Sequence, residues 1–147
     1  MKLYTIGYGN NQPDDFIARL IANGIRDVFD VRRQFSKARI YTYRPGVPMN
    51  LLMASNGISY VHCHYLGNEE DSLEEYTSWL HSNFGQRMLF RFTTVMNSTC
   101  KVLHKSRMQD FVPCLLCAEL DPEKCHRKIV AEALSSEFKQ EWEVVHL

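Results

Sequence analysis

The chain lacks an excess of charge of either sign. Its 147 residues contain 17 lysines and arginines against 17 aspartates and glutamates, so the formal net charge is zero. A neutral protein has no general attraction for nucleic acids or anionic membranes, and any site for a polyanion must therefore be local. The sequence also lacks any apolar run that approaches the length of a membrane span, so we expect no membrane association.

The glycine-rich motifs of several large enzyme classes are also missing. The sequence contains no Walker loop, no Gly-x-Gly-x-x-Gly and no Gly-x-Ser-x-Gly. P-loop nucleotide hydrolases, dinucleotide-dependent dehydrogenases and serine hydrolases depend on these turns. Their absence argues against all three classes, and we predict no cofactor.

The five cysteines are an odd number, and neither a signal-peptide pattern nor a repeat accompanies them. Such a chain has free thiols by default, so we predict a cytoplasmic protein in a reducing compartment. A chain of this length buries a substantial core, and no linker or shift in composition indicates a boundary. We therefore expect a single α/β domain over residues 1–147, of an oligomeric state that the sequence does not indicate.

Apolar β-rich runs alternate with amphipathic segments along the chain. The predicted order is strand 2–6, helix 13–23, strand 28–31, helix 49–55, strand 59–63, a helix opening at the capping box of residues 72 and 75, a helical segment over 87–96 with a less regular extension to 105, strand 111–117, helix 122–138 and strand 142–147. This alternation is typical of a mainly parallel sheet covered on both faces. We predict a three-layer, Rossmann-like domain with a sheet of about five strands.

Four of the predicted strands end in polar or reactive residues. These are Gly7 and Tyr8, Asp30 and Arg32, His62 and His64, and Cys117 and Glu119. Since the carboxyl ends of parallel strands meet at one edge of a sheet, and open α/β sheets bind ligands there, these residues should converge. The residues predicted to line one pocket are Cys117, Glu119, Cys125, His126, Asp30, Arg32 and His62.

The most informative segment, residues 115–127, is predicted to form a buried strand, a charged turn and the start of a helix. A thiol in the first turns of a helix and near a cation such as Arg127 has a lowered pKa, which makes Cys125 a candidate nucleophile beside His126. Cys125 also falls four residues before Ile129, on the core stripe of that helix. A purely structural cysteine therefore stays open as an alternative.

Two pairs of residues share a face because they lie two apart at strand ends. Asp30 and Arg32 can hold a ligand hydroxyl and a phosphate, or they can form an internal ion pair that orders the following loop. His62, with His64, is a candidate general acid or base. The alternative for His62 is a histidine whose hydrogen bonds are satisfied in the core or at its rim.

Residues 34–48 form an irregular stretch that mixes basic and aromatic side chains. Long loops in compact domains are often functional, so we predict that this loop covers the pocket, with Tyr41 or Tyr43 stacking on a base. The alternative is a loop of solvated charges whose tyrosines pack on the surface of the domain. The predicted ligand-binding residues are Gly7, Tyr8, Asp30, Arg32, Arg39, Tyr43, Arg44 and Arg127.

Cys117, Cys125 and His126 are also residue types that bind metals, and His62 can join them. Their spacing is not that of a Cys-x-x-Cys knuckle, and a metal site would need the fold to bring a strand end and a helix start together. We therefore predict no metal.

Several short segments carry a resemblance to a known family. They are Thr5-Ile6-Gly7, Asp30-Val31-Arg32, Tyr60-Val61-His62 with Leu66-Gly67, Cys117-Ala118-Glu119, Cys125-His126-Arg127 and the final Val145-His146-Leu147. With them the chain resembles domain-of-unknown-function family 488 over nearly its whole length. It departs from the family at Tyr8-Gly9, where members typically have His-Ser, and at Gln34-Phe35-Ser36. The resemblance implies a fold and a site but no established reaction.

Three function classes remain open. The first is an enzyme, a hydrolase or transferase, acting on a nucleotide, nucleoside or nucleic-acid-derived anionic substrate. In it Cys125 or Glu119 is nucleophile or base, and His126 or His62 transfers protons. The second is a protein that binds a nucleotide-like ligand without turnover. The third is a nucleic-acid-binding module that uses the basic and aromatic loop, against which the neutral charge counts.

Overall fold

The computed structural model describes residues 1–34, 38–137 and 142–147. The strands in these ranges are β1 (Lys2–Gly7), β2 (Asp27–Asp30), β3 (Ser59–His62), β4 (Pro113–Cys117) and β5 (Glu143–His146). The helices are α1 (Pro13–Ala22), α2 (Val47–Ala54), α3 (Leu73–Leu80), α4 (Asn83–His104) and α5 (His126–Glu137). Short 3₁₀ turns cover Tyr41–Tyr43, His64–Leu66, Met108–Asp110 and Pro122–Lys124.

The five strands of the described chain form one parallel sheet in the order β3-β2-β4-β1-β5. Every residue of the inner strands β2 and β4 is buried, which explains the apolar pairs Val28-Phe29 and Leu115-Leu116 at their centres. Pro113 is the first residue of β4, a position where a strand tolerates a missing N–H. The prediction of a three-layer α/β fold with a mainly parallel sheet of about five strands is confirmed.

Helices cover both faces of the sheet and divide the core into two clusters. On one face, Phe16 of α1 and Met49 and Met53 of α2 pack on Ile6, Val28 and Leu116. On the other, Tyr76, Phe92 and Leu134, from α3, α4 and α5, pack with Leu3, Phe29 and Leu115. The connections after β1 and β4 therefore leave this neighbouring pair of strands toward opposite faces. Open α/β sheets form their ligand crevice at such a point.

One helix is longer than the sequence pattern predicts. The segments over 87–96 and toward 105 are parts of α4, a continuous helix of 22 residues. It begins earlier than expected because the Ser82 hydroxyl accepts a hydrogen bond from the N–H of Gly85 at 3.2 Å. Its apolar stripe then continues through Leu89, Phe92, Met96 and Cys100. In the described ranges, no helix is long and apolar enough to cross a membrane.

The start of α5 also differs from the prediction of a helix over residues 122–138. The Asp121 carboxylate accepts a hydrogen bond from the N–H of Glu123 at 3.0 Å and caps the 3₁₀ turn Pro122–Lys124. Cys125 is then extended, with φ −133° and ψ 140°, and the α-helix begins only at His126. The predicted end of that helix at residue 138 lies outside the described residues.

Candidate functional site

Three nucleophilic or metal-binding side chains meet at the carboxyl end of β4. Cys117 is the last residue of this strand, and Cys125 and His126 follow the 3₁₀ turn that comes after it. The Nδ1 atom of His126 lies 3.8 Å from Sγ of Cys117 and 3.9 Å from Sγ of Cys125. All three side chains are buried. The parallel fold therefore brings together the residues of the two most specific motifs of the C-terminal half.

A hydrogen bond to the backbone fixes the orientation of the His126 ring. Its Nε2 atom lies 2.7 Å from the carbonyl oxygen of Val31, which can only accept a hydrogen bond. In the neutral imidazole, Nε2 therefore carries the hydrogen and Nδ1 is left with a free lone pair. The Tyr76 ring packs against the imidazole at a centroid distance of 5.0 Å. The unprotonated nitrogen of His126 thus faces the two thiols.

The two cysteines differ in acidity. A hydrogen bond from the Cys125 thiol is the main cause that lowers the pKa of Cys117, whereas burial raises this pKa. The backbone N–H groups of Ala118 and Glu119 and the charge of Arg127 lower it further. The same hydrogen bond to Cys117, together with burial, raises the pKa of Cys125. Cys125 lacks the expected position inside a helix, since α5 starts one residue later. Cys117 is therefore the better thiolate, and Cys125 acts as its hydrogen-bond donor.

A cavity of about 350 Å³ opens over these three residues. Of the seven residues predicted to share one pocket, the ones that line it are Arg32, Cys117, Glu119, Cys125 and His126. The other charged residues of the wall are Arg33, Glu69, Glu70, Asp71 and Lys124. Carboxylates therefore outnumber cations around the cavity.

Asp30 and Arg32 form an ion pair inside the protein. The carboxylate accepts hydrogen bonds from Nε and Nη2 of Arg32 at 2.8 and 2.7 Å, and the two residues are 0% and 2% exposed. Nη1 of Arg32 donates to the Tyr8 hydroxyl and to the Tyr43 carbonyl, and the Tyr60 hydroxyl donates to Asp30 at 2.6 Å. Asp30 and Arg32 thus form the internal ion pair that was one of the two alternatives, rather than a pair that is free to hold a ligand.

Asp30 and His62 lie at the same edge of the sheet as Cys117 but on its other face. Asp30 is in register with Leu116 of β4 and with His62 of β3. Because successive residues of a strand point to opposite faces, Cys117 points away from the face that Asp30 and His62 share. The Nε2 atom of His62 lies 2.8 Å from the Arg32 carbonyl oxygen. The expected single cluster is thus divided by the sheet into two.

Gly7 and Arg127 hold the segment that follows β4. A Cβ atom on Gly7 would lie 1.7 Å from the carbonyl oxygen of Glu119, so this approach requires glycine. The fully buried Arg127 donates to the carbonyl oxygens of Glu119 and Leu120 and to the Thr5 hydroxyl. Both residues, predicted as ligand contacts, are in contact with the protein's own backbone.

The predicted loop residues lie on the Asp30 face. Tyr8, Arg39 and Tyr43 line a smaller cavity of about 190 Å³. Tyr43 is only 1% exposed and its ring stacks on Tyr8 at 4.5 Å, so that ring face is already occupied. Arg44 is exposed and lies over the Tyr41 ring at 5.1 Å. Residues 35–37 of this loop lie outside the described residues.

Two residues of these networks escaped the sequence analysis. Tyr60 bonds to Asp30, and its place two residues before His62 indicated that the two share a face. Tyr76 packs on His126, and its hydroxyl donates to the Leu66 carbonyl at 2.7 Å. A tyrosine on the core stripe of a helix gives no signal by itself that it will contact a site.

The cysteine and histidine cluster also has the composition of a metal site. The ligand atoms of Cys117, Cys125 and His126 all lie within 4.8 Å of one another. Two thiolates and an imidazole suit a borderline-soft divalent ion such as Zn²⁺. The hydrogen bond from His126 to Val31 is the kind that orients a ligating histidine. His62, considered as a further ligand, lies on the other face.

A family model described as "Domain of unknown function DUF488" matches residues 12–134, and the chain belongs to this family. The match confirms the resemblance seen in the sequence. It leaves out the first eleven residues, with Tyr8-Gly9, and the last strand. No match was found among curated proteins or among solved structures.

Proposed function

We propose that this member of the DUF488 family is a thiol-dependent enzyme, a hydrolase or transferase in which Cys117 is the nucleophile. The observation that carries the proposal is the position of Cys117, the last residue of β4, which lines the cavity of about 350 Å³. Its lowered pKa, with Cys125 as the main cause, favours the thiolate that attacks an electrophile.

The neighbouring residues have complementary roles in this scheme. The Cys117 thiolate attacks an electrophilic carbon of the substrate; a sulfur–carbon bond forms, and the bond to the leaving group breaks. The leaving group takes a proton from the Cys125 thiol. The free Nδ1 lone pair of His126, 3.9 Å from that sulfur, then relays back to Cys125 the proton that Glu119 takes from the water or acceptor. Glu119 on the cavity wall acts as general base for the water or acceptor that releases the product. Acid–base steps of this kind contribute about 10²- to 10⁴-fold to rates.

The sequence and the charge of the cavity support the proposed substrate class. A nucleotide, nucleoside or nucleic-acid fragment was expected, with Arg32 on a phosphate. Arg32 is already neutralised by Asp30, and the wall carries Glu69, Glu70, Asp71 and Glu119 beside Arg33 and Lys124. We therefore favour the nucleoside or base part of such a substrate as the group that enters this cavity.

Thiol reactivity tests the proposal directly. The full-length protein is treated with iodoacetamide at neutral pH, and the labelled cysteine is identified by mass spectrometry. Cys117 should react first, and Cys117→Ala should remove the fast reaction. Cys100→Ala, a substitution at a buried cysteine of α4, is the matched control and should leave it unchanged.

Turnover is tested by incubation with a pool of nucleosides and nucleotides, followed by mass spectrometry of solution and protein. A changed solute that requires Cys117, or an adduct on Cys117, is the expected result. A ligand that is retained unchanged would instead identify a binding protein. If the purified protein contains one zinc ion per chain, and its thiols react with iodoacetamide only after a chelator removes that ion, Cys117 is a metal ligand and not a nucleophile.

A further inference from the structure

A second cavity, of about 240 Å³, adjoins the cavity over Cys117. Its wall is rich in aromatic residues, with Tyr65, Tyr76, Trp79 and Phe84. Glu69 and Glu70 line both cavities, so the two meet at the segment between β3 and α3. A molecule that reaches Cys117 can therefore place a second group against these rings.

We propose that this aromatic cavity is the subsite for the nucleobase of the substrate, and that it prefers a base with an amino group or a positive charge. The inference rests on the proposed function for the place of the reaction. Beyond that function, it names the nucleobase as the recognised part of the substrate and the aromatic cavity as the place where it binds.

The ring surfaces available for stacking belong to Trp79 and Phe84. Their centroids are 6.4 Å apart, and Phe84 is 58% exposed although it is a large apolar side chain. Tyr76 supports Trp79 from behind at 5.4 Å. The corner between α3 and α4 is tightly built, since a Cβ atom on Gly85 would lie 2.1 Å from the Trp79 carbonyl oxygen. These rings thus form a rigid surface at the mouth of a cavity, which suits a planar heterocycle.

The charges of the cavity select among heterocycles. Glu69 and Glu70 are exposed at its wall, and neither lysine nor arginine is among its described lining residues. Carboxylates accept hydrogen bonds from amino groups, and both they and aromatic ring faces attract cations. Arg91 already covers the Tyr65 ring at 4.1 Å, which leaves Trp79 and Phe84 for the ligand. A base with an amino group therefore fits this wall better than uracil or a phosphate.

Equilibrium dialysis of the full-length protein with adenosine, 1-methyladenosine and uridine tests the preference. We expect the cationic 1-methyladenosine to bind most tightly, adenosine less tightly, and uridine most weakly. Phe84→Ala should weaken adenosine binding about tenfold, the loss expected for one stacking contact. Phe90→Ala is the matched control, because Phe90 is similarly exposed, at 66%, on the same helix. Glu70→Gln should weaken 1-methyladenosine binding more than adenosine binding.

Tryptophan fluorescence gives an independent reading of the same site. In a Trp142→Phe protein, Trp79 is the remaining tryptophan, and adenosine should quench its emission. Equal effects of Phe84→Ala and Phe90→Ala, or binding of uridine as tight as that of 1-methyladenosine, would overturn the subsite. Fast alkylation of Cys117 alongside either result would leave the thiol enzyme standing, whereas an unreactive Cys117 would contradict the proposed function itself.

Discussion

The Asp30 carboxylate binds the Arg32 guanidinium through two hydrogen bonds, of 2.8 and 2.7 Å, in a site from which water is almost excluded. The two residues belong to an Asp-Val-Arg segment, whose alternation places both side chains on one face at the end of β2. The Arg32 side chain also reaches the Tyr43 carbonyl and the Tyr8 hydroxyl. This pair therefore connects the end of β2 to the loops that follow β1 and β2.

Arg32→Ala should lower the free energy of unfolding by about 3–5 kcal/mol, because it leaves the buried Asp30 carboxylate without its cation. Urea denaturation measures the loss. Arg44→Ala is a suitable control, since Arg44 is exposed and its guanidinium lies over the Tyr41 ring. That substitution should change stability by no more than about 0.5 kcal/mol. Equal stabilities for the two variants would mean that the ion pair does not hold these loops.

Cys125 should control the acidity of Cys117. Iodoacetamide reacts with the thiolate, so the rate of Cys117 alkylation against pH reports its pKa. Cys125→Ala removes the hydrogen bond that is the main cause of the lowered pKa, and the midpoint of the profile should move to higher pH. Cys125→Ser keeps a hydrogen-bond donor and should restore part of the effect. Profiles that coincide for the wild type and Cys125→Ala would contradict the pairing of the two cysteines.

Much of the fold was predictable because its signals are local. Strands predicted over 2–6 and 59–63 are observed as Lys2–Gly7 and Ser59–His62, since apolar β-rich runs end at glycines or polar turns. The order of strands and helices then implied a parallel sheet and a common edge for its carboxyl ends. Cys117, Glu119 and His126 lie at this edge and line one cavity.

The division of the site between two faces was not predictable in the same way. Alternation within a strand shows that Asp30 and Arg32 share a face, but the register between β2 and β4 depends on packing across the whole sheet. The position of Cys125, just before α5 rather than inside it, depended on the residue at which the α-helix begins. The sequence did not fix that residue, because Asp121 and Pro122 begin a 3₁₀ turn as readily as an α-helix. An exposed aromatic residue such as Phe84 can be recognised as part of a binding site only once the structure shows the cavity that it lines.

Gly7→Ala should disturb the segment that carries the site. The added methyl group would lie 1.7 Å from the Glu119 carbonyl oxygen, so the backbone after β4 must shift. We expect a loss at the upper end of the roughly 1–3 kcal/mol range for overpacking, together with slower alkylation of Cys117. Urea denaturation and iodoacetamide labelling measure the two effects.

Gly24→Ala is the matched control for that experiment. Among the described residues other than its chain neighbours, no heavy atom lies within 4 Å of a Cβ built at Gly24. The expected cost is therefore that of a side chain in the left-handed backbone conformation, φ +67°, about 1–2 kcal/mol. Alkylation of Cys117 should then be as fast as in the wild type. Slower alkylation in both variants would show that reactivity follows general stability rather than the contact between Gly7 and Glu119.

His146 should make the stability of the protein depend on pH. Its Nδ1 atom lies 2.6 Å from the Thr5 hydroxyl oxygen, which also accepts a hydrogen bond from Nε of Arg127. Partial burial of the ring lowers the pKa of His146, and the positive charges of Arg127 and Lys128 lower it further, while the carboxylates of Glu132 and Glu123 oppose the shift. The folded protein therefore holds this imidazole neutral at a pH where an unfolded histidine, with a pKa of about 6.5, already binds a proton.

Because the unfolded state binds more protons, the contribution of His146 to stability is complete above about pH 6.5 and is lost as the pH falls toward the folded pKa. His146→Asn keeps a hydrogen-bond acceptor for the Thr5 hydroxyl but does not titrate. Urea denaturation at about pH 5.5 and about pH 7.5 should show a smaller difference for this variant than for the wild type. If both proteins lose the same stability on acidification, the dependence arises from other groups, and β5 is not held by a neutral His146.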